Sequence, residues 1–95
     1  MIFEITDKTG RNIYLSEEGW KHINQQHPEI SDYLEEIKET LKTPIKITHG
    51  PDENIRYYYK YFKNRKSSAK YLLVIVKYLN DKGFIITSYF VRNIK

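Results

Sequence analysis

The chain has 95 residues, of which 40% are hydrophobic, and it carries a formal net charge of +4 at neutral pH. This length and composition indicate one small globular domain and exclude an intrinsically disordered chain. Because there is no cysteine, disulfides and thiolate metal sites are excluded too. No segment reaches the roughly 20 apolar residues that cross a bilayer. The N-terminus lacks the residue order of a signal peptide. We therefore expect no membrane partner and a cytoplasmic location, although a toxin domain cut from a larger secreted protein would look the same.

The two signs of charge are unevenly distributed along the chain. Seven of the twelve acidic residues lie between Glu17 and Glu39, whereas ten lysines and arginines lie between Arg56 and Lys95. The C-terminal half therefore carries a basic face. A basic face favours nucleic acid or acidic surfaces as partners.

The chain is predicted to begin with two strands and a helix. Alternating residues predict strands over Ile2–Thr6 and Arg11–Leu15. The turn at Asp7–Gly10 joins them, since Asp can bond its own backbone and Gly tolerates positive φ. Ser16 is a good N-cap for the helix that follows. That helix should end two residues before Pro28, because the residue preceding proline avoids the α region.

A second helix is predicted to begin at Ser31, which would act as its N-cap. Its apolar residues Leu34, Ile37 and Leu41 have the spacing of a buried stripe. Pro44 ends this helix.

The period then changes from helical to alternating, which predicts four strands. They span Ile45–His49, Ile55–Phe62, Tyr71–Leu79 and Phe84–Val91. The order ββααββββ predicts an α+β domain in which the N-terminal β-hairpin and two helices pack on a four-stranded antiparallel sheet.

The last hairpin has one apolar side on each strand, and both sides should face the helices. The residues concerned are Leu72, Val74, Val76 and Tyr78, and Phe84, Ile86, Ser88 and Phe90. A three-residue loop with Gly83 in the left-handed region would place Lys77 opposite Thr87, and Ile75 opposite Tyr89. Lys77, Thr87 and Tyr89 would then share the opposite face of the sheet.

Two of the three histidines, His22 and His27, are candidates for proton transfer. They lie five residues apart at the end of the first helix, and the unperturbed pKa of histidine lies nearest neutral pH. Alternatively, His27 caps the helix C-terminus and His22 is merely solvated. Their spacing differs from the i, i+4 pattern that binds zinc, and His49 is expected to be structural. We therefore predict neither a metal site nor a cofactor.

The strand with the most tyrosines interleaves cations with rings. Arg56, Tyr58 and Lys60 should project to one face, where they would suit phosphates and stacked bases. Lys63 and Arg65 belong to an adjacent basic loop. The alternatives are half-buried tyrosines, which are common in strands, and a loop that is only solvated.

Together these segments resemble the phage- and toxin-associated branch of the barnase–EndoU–colicin–RelE-like (BECR) nucleases. The branch has a histidine-bearing helix that ends in His-Pro-Glu, then a lysine strand and a terminal Thr-Ala-Tyr-like strand. The matching segments are Gly19–Ile23, His27–Glu29, Thr43–Pro44, the tyrosine strand, Tyr71–Lys77 and Phe84–Tyr89. Ser88 stands where alanine is common.

The resemblance implies a metal-independent, toxin-like ribonuclease that leaves a 2′,3′-cyclic phosphate. Such an enzyme needs a base, an acid and cations around the phosphorane. The resemblance offers His22 and His27 as acid and base, in either order, and Lys77 with Arg56 or Lys60 as the cations. Thr87 and Tyr89 would position the phosphate, and Tyr58 would stack a base.

Other functions are compatible with the same residues. A module that binds nucleic acid or a protein partner would use the basic face without cleavage. A phage inhibitor or accessory protein would need only the fold. RNA is the expected partner, together with a possible cognate antitoxin or immunity protein.

Overall fold

The computed structural model describes residues 1–95 and contains six strands, two α-helices and one 3-10 helix. The N-terminal half comprises β1 (Phe3–Thr6), β2 (Asn12–Leu15), α1 (Glu17–Gln26), the 3-10 helix (Pro28–Asp32) and α2 (Leu34–Lys42). The C-terminal half comprises β3 (Lys46–His49), β4 (Ile55–Tyr61), β5 (Tyr71–Leu79) and β6 (Lys82–Val91). The α+β class and the predicted element order are therefore confirmed.

The sheet has six strands rather than the four predicted, in the order β1-β2-β6-β5-β4-β3. Strands β3 to β6 form the expected antiparallel meander. The N-terminal hairpin does not pack on this meander but extends it, because β2 pairs in parallel with the start of β6. Parallel pairing joins segments that are distant in the chain, so local periodicity gave no sign of it.

Gly83 makes this junction possible. It is a buried residue of β6 that pairs with Ile13 on one side and Tyr78 on the other. A Cβ at this position would lie 2.8 Å from Ile13 Cδ1 and 2.9 Å from Tyr78 Cδ1. A larger residue here would displace the Ile13 or Tyr78 side chain, so glycine allows β2 to pack closely against β6 and does not serve the left-handed loop conformation that was predicted.

The predicted register of the last hairpin is wrong. Its turn is one residue shorter, since Leu79 pairs with Lys82, and Asn80 rather than Gly83 adopts the positive φ, at 64°. Val76 pairs with Ile85 while Ile75 pairs with Thr87, so Ile86 is the extra residue of a β-bulge. Lys77 consequently pairs with Phe84 instead of Thr87.

The helix boundaries follow the local signals in α1 but not in α2. Ser16 caps α1 through its Oγ, which accepts a hydrogen bond from the Gly19 amide at 2.9 Å. Ser31 does not cap α2. Residues 28–32 form the 3-10 helix, and Tyr33 takes the N-cap position without a side-chain bond. Neither α-helix is long and apolar enough to cross a membrane.

The core lies between the helices and one face of the sheet. The predicted residues Val74, Val76, Ile37 and Leu41 are fully buried there, while Leu34 and Phe90 pack against the core and are only partly buried. Phe84 and Ile86, which were also predicted to be buried, lie outside the core. The bulge supplies Ile85 in their place.

A buried carboxylate connects the first turn to the middle of the sheet. Asp7 Oδ2 accepts hydrogen bonds from the hydroxyls of Tyr58 and Tyr78, the latter at 2.6 Å, and the two hydroxyls also bond each other. Asp7 Oδ1 accepts from the Thr9 hydroxyl and from two backbone amides of the turn. Burial by itself raises the pKa of Asp7, but these hydrogen bonds outweigh it and hold the pKa below its ordinary value of 3.8. Burial and the neighbouring carboxylate raise the pKa of both tyrosines.

Val76→Asp should unfold the domain. Val76 is fully buried, and an unpaired buried charge costs several kcal/mol, a large part of the roughly 5–15 kcal/mol that stabilises a small domain. Circular dichroism and thermal melting measure the effect. Leu79→Asp is the matched control, because Leu79 ends the same strand and is 54% exposed. A Val76→Asp protein that melts like wild type would contradict the assignment of this sheet face.

Asp7→Asn should lower the free energy of unfolding at pH 7 by about 3 kcal/mol, since two buried hydroxyls lose a charged acceptor. Because the folded pKa is lowered, the unfolded chain takes up the proton first. Wild-type stability should therefore fall as the pH drops below about 4 and through the folded pKa. Urea unfolding from pH 7 to pH 2 should show this loss of stability in wild type and in the exposed control Asp32→Asn. The loss should be smaller in Asp7→Asn, which has no carboxylate to protonate at this position. Equal pH dependence in all three proteins would contradict the role of Asp7.

Candidate functional site

Helix α1 lies along a free edge of β6. Strand β2 pairs with β6 only as far as Phe84, so residues 85–91 have no strand on that side, and α1 contacts β6 there. Ile23 of α1 is fully buried in the core. His27 at the end of the same helix instead contacts the sheet face that points away from the core. Helix α1 therefore contributes side chains to both sides of the sheet.

The face away from the core is rich in tyrosine, and we call it the tyrosine face. Residues paired across neighbouring strands point to the same side of a sheet. Starting from the core residues Val74 and Val76, the observed pairs assign the alternate positions to this face. They include Tyr57, Tyr59 and Tyr61 on β4, Leu73, Ile75 and Lys77 on β5, and Phe84, Thr87 and Tyr89 on β6.

His27 is held against Tyr89 of the tyrosine face. Pro28 stops α1, so His27 becomes its C-cap, with its backbone amide bonded to the Ile23 carbonyl. Its ring stacks on that of Tyr89, with centroids 4.7 Å apart and planes inclined by 22°. Nδ1 lies 3.9 Å from Glu29 Oε1, and the His27 side chain is 30% exposed. His27 is thus oriented by an aromatic partner, lies beside a carboxylate and remains accessible to solvent.

His22 lies on the exposed side of α1 and lines the wall of a pocket between α1 and β6. The helix contributes Ser16, Glu18, Gly19, Lys21, His22 and Gln25, and the strand contributes Phe84, Ile85 and Ile86. The pocket therefore has an apolar side on the sheet and a polar side on the helix. The histidines are close along the helix, but only His27 has a defined partner.

Thr87 and Lys77 share the tyrosine face, although they are not paired with each other. Thr87 pairs with Ile75, and its Oγ1 is buried without a hydrogen-bond partner. Lys77 pairs with Phe84, a pocket residue, and is half-buried. Thr87, Lys77 and Tyr89 are therefore on the same side of the sheet, as predicted, despite the error in register. No cluster of three histidine or acidic side chains is present.

Three of the predicted RNA-binding cations are engaged within the protein. Lys60 Nζ donates to the Thr43 carbonyl at 2.8 Å, at the C-terminus of α2, and lies 3.6 Å from Glu39 Oε2. The Arg65 guanidinium lies 3.7 Å from the centroid of the Phe90 ring, and Nε donates to the Ala69 carbonyl. Arg56 Nη1 donates to the backbone carbonyls of Glu53 and Ile55. Lys63 differs, since it is exposed and forms no ion pair.

Tyr58 is not available to stack a base, and the prediction that it does so is wrong. It is fully buried and bonded to Asp7. Arg56, Tyr58 and Lys60 do share one face, but that face is directed towards the helices and the core. The tyrosines on the other side of β4 are its alternate residues, one position away in sequence. Period-2 alternation identifies the two sets, but with a tyrosine on both sides it does not indicate which set is buried.

Several pocket residues were not predicted as site residues. Phe84 and Ile86 were assigned to the core because the alternate positions Phe84, Ile86, Ser88 and Phe90 are almost wholly apolar, and the bulge at Ile86 changed that assignment. Gln25 carried no signal except its helical spacing, three residues after His22. Tyr57 and Tyr59 of the tyrosine face were not predicted either, although they carried the same tyrosine signal as Tyr58.

A comparison with protein-family models matches residues 3–95 to a family described as phage-Barnase-EndoU-ColicinE5/D-RelE like nuclease2, or PBECR2. Neither the curated proteins nor the solved structures contain a match to the chain.

Proposed function

The chain belongs to the PBECR2 family of phage BECR-like nucleases, and from this membership we propose that it is a metal-independent endoribonuclease. The family supports a nuclease function in general. RNA as the substrate and the cleavage chemistry are our proposal. The observation that carries it is the stacking of His27 on Tyr89, which brings a candidate proton-transfer group next to the strand of the Thr-Ser-Tyr segment.

In the proposed reaction, a 2′-oxygen of RNA attacks the adjacent phosphorus while the bond from phosphorus to the 5′-oxygen breaks. A base removes the proton of the 2′-hydroxyl, and an acid gives a proton to the departing 5′-oxygen. The products are a 2′,3′-cyclic phosphate and a free 5′-hydroxyl. The protein must therefore supply two proton-transfer groups and positive charge near the phosphate.

His22 and His27 are proposed as these two groups. They lie on consecutive parts of one helix beside β6, with His22 at the α1–β6 pocket and His27 against Tyr89. Glu29 Oε1 lies 3.9 Å from His27 Nδ1, in the ring that stacks on Tyr89. The two histidines are proposed as acid and base in either order.

Lys77, Thr87 and Tyr89 are proposed to hold the phosphate. Lys77 would offset the charge that develops on the phosphorane. The Thr87 hydroxyl is buried and has no hydrogen-bond partner within the protein, so a phosphate oxygen would pair with it only after a local movement that opens this part of the sheet. Tyr89 orients His27 through its ring. We also propose that a cognate antitoxin or immunity protein would bind over this site.

A second candidate function is RNA binding without cleavage. It is favoured by the cations that follow Lys60, since none of those from Lys63 to Lys95 forms an ion pair with a carboxylate. Charge that is not neutralised internally is available to a polyanion. Cleavage would depend on particular histidines, whereas binding without cleavage would depend mainly on positive charge.

RNA binding should be strongly salt-dependent. With about four phosphate contacts, affinity for single-stranded RNA should fall about 50-fold between 50 and 200 mM salt. Lys63→Ala should reduce the slope of log affinity against log salt concentration by the amount expected for the loss of about one phosphate contact. Lys60→Ala is the matched control, because Lys60 is already engaged by Thr43 and Glu39. Fluorescence anisotropy measures both variants, and binding that is insensitive to salt would argue against a polyanionic partner.

Cleavage should persist in excess chelator and yield 2′,3′-cyclic phosphate ends. His22→Ala, His27→Ala and Lys77→Ala should each keep the fold but lower the rate at least about 100-fold, as expected for loss of an acid, a base or a charge-stabilising group. His49→Ala is the control, since His49 lies on β3 at the far edge of the sheet.

Incubation of each protein with total RNA, followed by analysis of the product ends, distinguishes the outcomes. Intact RNA at high protein concentration would support the binding function. Cleavage that survives all three substitutions would support an enzyme with a different site.

A further inference from the structure

A second, smaller pocket lies on the tyrosine face, and the proposed reaction gives it no role. Strands β4, β5 and β6 and the segment after β6 form its walls. The lining residues are Tyr57, Tyr59, Leu73, Tyr89, Val91, Asn93 and Lys95. Its volume is about 210 Å³. Neither histidine lines it, so it is separate from the α1–β6 pocket.

The lining of this pocket suits a flat aromatic ligand. Three tyrosine rings and two aliphatic side chains form most of the wall, and aromatic rings stack on bases of any sequence. Tyr59 and Leu73 are almost fully buried and form the floor of the pocket, whereas Tyr57 and Tyr89 are partly exposed. The single charged lining residue is Lys95, and its cation is suited to a phosphate beside a bound base.

The volume limits what the pocket can hold. Pockets for drug-sized ligands usually span about 300–1,000 Å³, and this one is smaller. It therefore suits one ring system and excludes a base pair. An unpaired base in a single strand combines one flat ring with adjacent negative charge, and it is the ligand of this kind that the proposed RNA substrate would supply.

Tyr89 links this pocket to the proposed catalytic group. Its ring lines the pocket, and it also stacks on His27 with centroids 4.7 Å apart. A base held against Tyr89 would keep its own phosphates close to His27. Tyr61, which lies on the same face as Tyr57 and on the same strand, β4, is outside the pocket and contacts Tyr71 instead.

We infer that the pocket formed by Tyr57, Tyr59, Leu73 and Tyr89 binds one unpaired nucleobase of an RNA strand, next to the phosphate that is cut. This inference rests on the proposal that RNA is the substrate. It makes Tyr57 a substrate-positioning residue and restricts the substrate to single-stranded RNA. Tyr57 thereby takes the place of buried Tyr58 as the residue proposed to stack a base.

The test measures binding of two hexamers in which every residue is 2′-O-methylated, so that neither is cleaved. One hexamer carries bases and the other is abasic throughout. Tyr57→Leu should weaken binding of the base-carrying hexamer about 5- to 150-fold, the range expected for loss of one stacked base. It should leave binding of the abasic hexamer unchanged. Tyr61→Leu, the matched control, should change neither by more than about twofold, and Tyr57→Phe should bind like wild type.

A second variant covers the case in which Tyr57→Leu does not fold. Asn93→Trp fills the pocket from an exposed position and should weaken binding of the base-carrying hexamer alone. Wild-type affinity in the folded Tyr57 and Asn93 variants would overturn the inference, and so would equal loss on both hexamers. These outcomes are independent of cleavage. If the variants lose affinity only for the base-carrying hexamer while wild-type protein leaves natural RNA intact, the proposed enzyme is refuted and the base pocket is retained. If wild-type protein cleaves RNA but the variants show no base-specific loss, the base pocket is refuted and the enzyme is retained.

Discussion

The buried Asp7 carboxylate is the interaction on which the arrangement of the sheet depends. It lies in the first turn, yet it accepts hydrogen bonds from Tyr58 on β4 and Tyr78 on β5, 51 and 71 residues away in sequence. The amide of Lys8, the next residue, also donates to the Leu41 carbonyl of α2 at 2.9 Å. A buried charge is tolerated only when its acceptor sites are filled. The turn therefore has one favourable position, and the N-terminal hairpin is fixed beside β6 as a consequence.

The position of the hairpin determines where the candidate site forms. Strand β2 is only four residues long, and its pairing with β6 ends at Phe84. The rest of that edge is left to α1, which packs Ile23 into the core, lines the α1–β6 pocket with His22 and ends at His27 against Tyr89 of the other face. A longer β2 would fill this edge with a strand and leave no place for His27 next to Tyr89. The site thus depends on an incomplete edge of the sheet.

The tyrosines of β4 show how one residue position separates a core tyrosine from tyrosines that line a surface pocket. Tyr58 is directed into the core and hydrogen bonds to Asp7, whereas its neighbours Tyr57 and Tyr59 line a pocket on the opposite face. Several cations are divided in a similar way. Lys60 and Arg65 stabilise the C-terminus of α2 and the basic loop, while Lys63 remains exposed. Residues that look equivalent in composition therefore have different roles, which are assigned by the side of the sheet and by local partners.

The sequence by itself determined the element order, the ends of α1, the buried side of β5 and the family resemblance. These depend on periods, caps and prolines that act within a few residues. The tertiary structure decided the parallel β2–β6 pair, the bulge at Ile86 and the burial of Tyr58. It also brought His27 onto Tyr89, which lies 62 positions further along the chain. The physical reason is that strand partners and buried faces are selected by contacts between distant segments, and a shift of one residue reverses every side chain while leaving the local pattern intact.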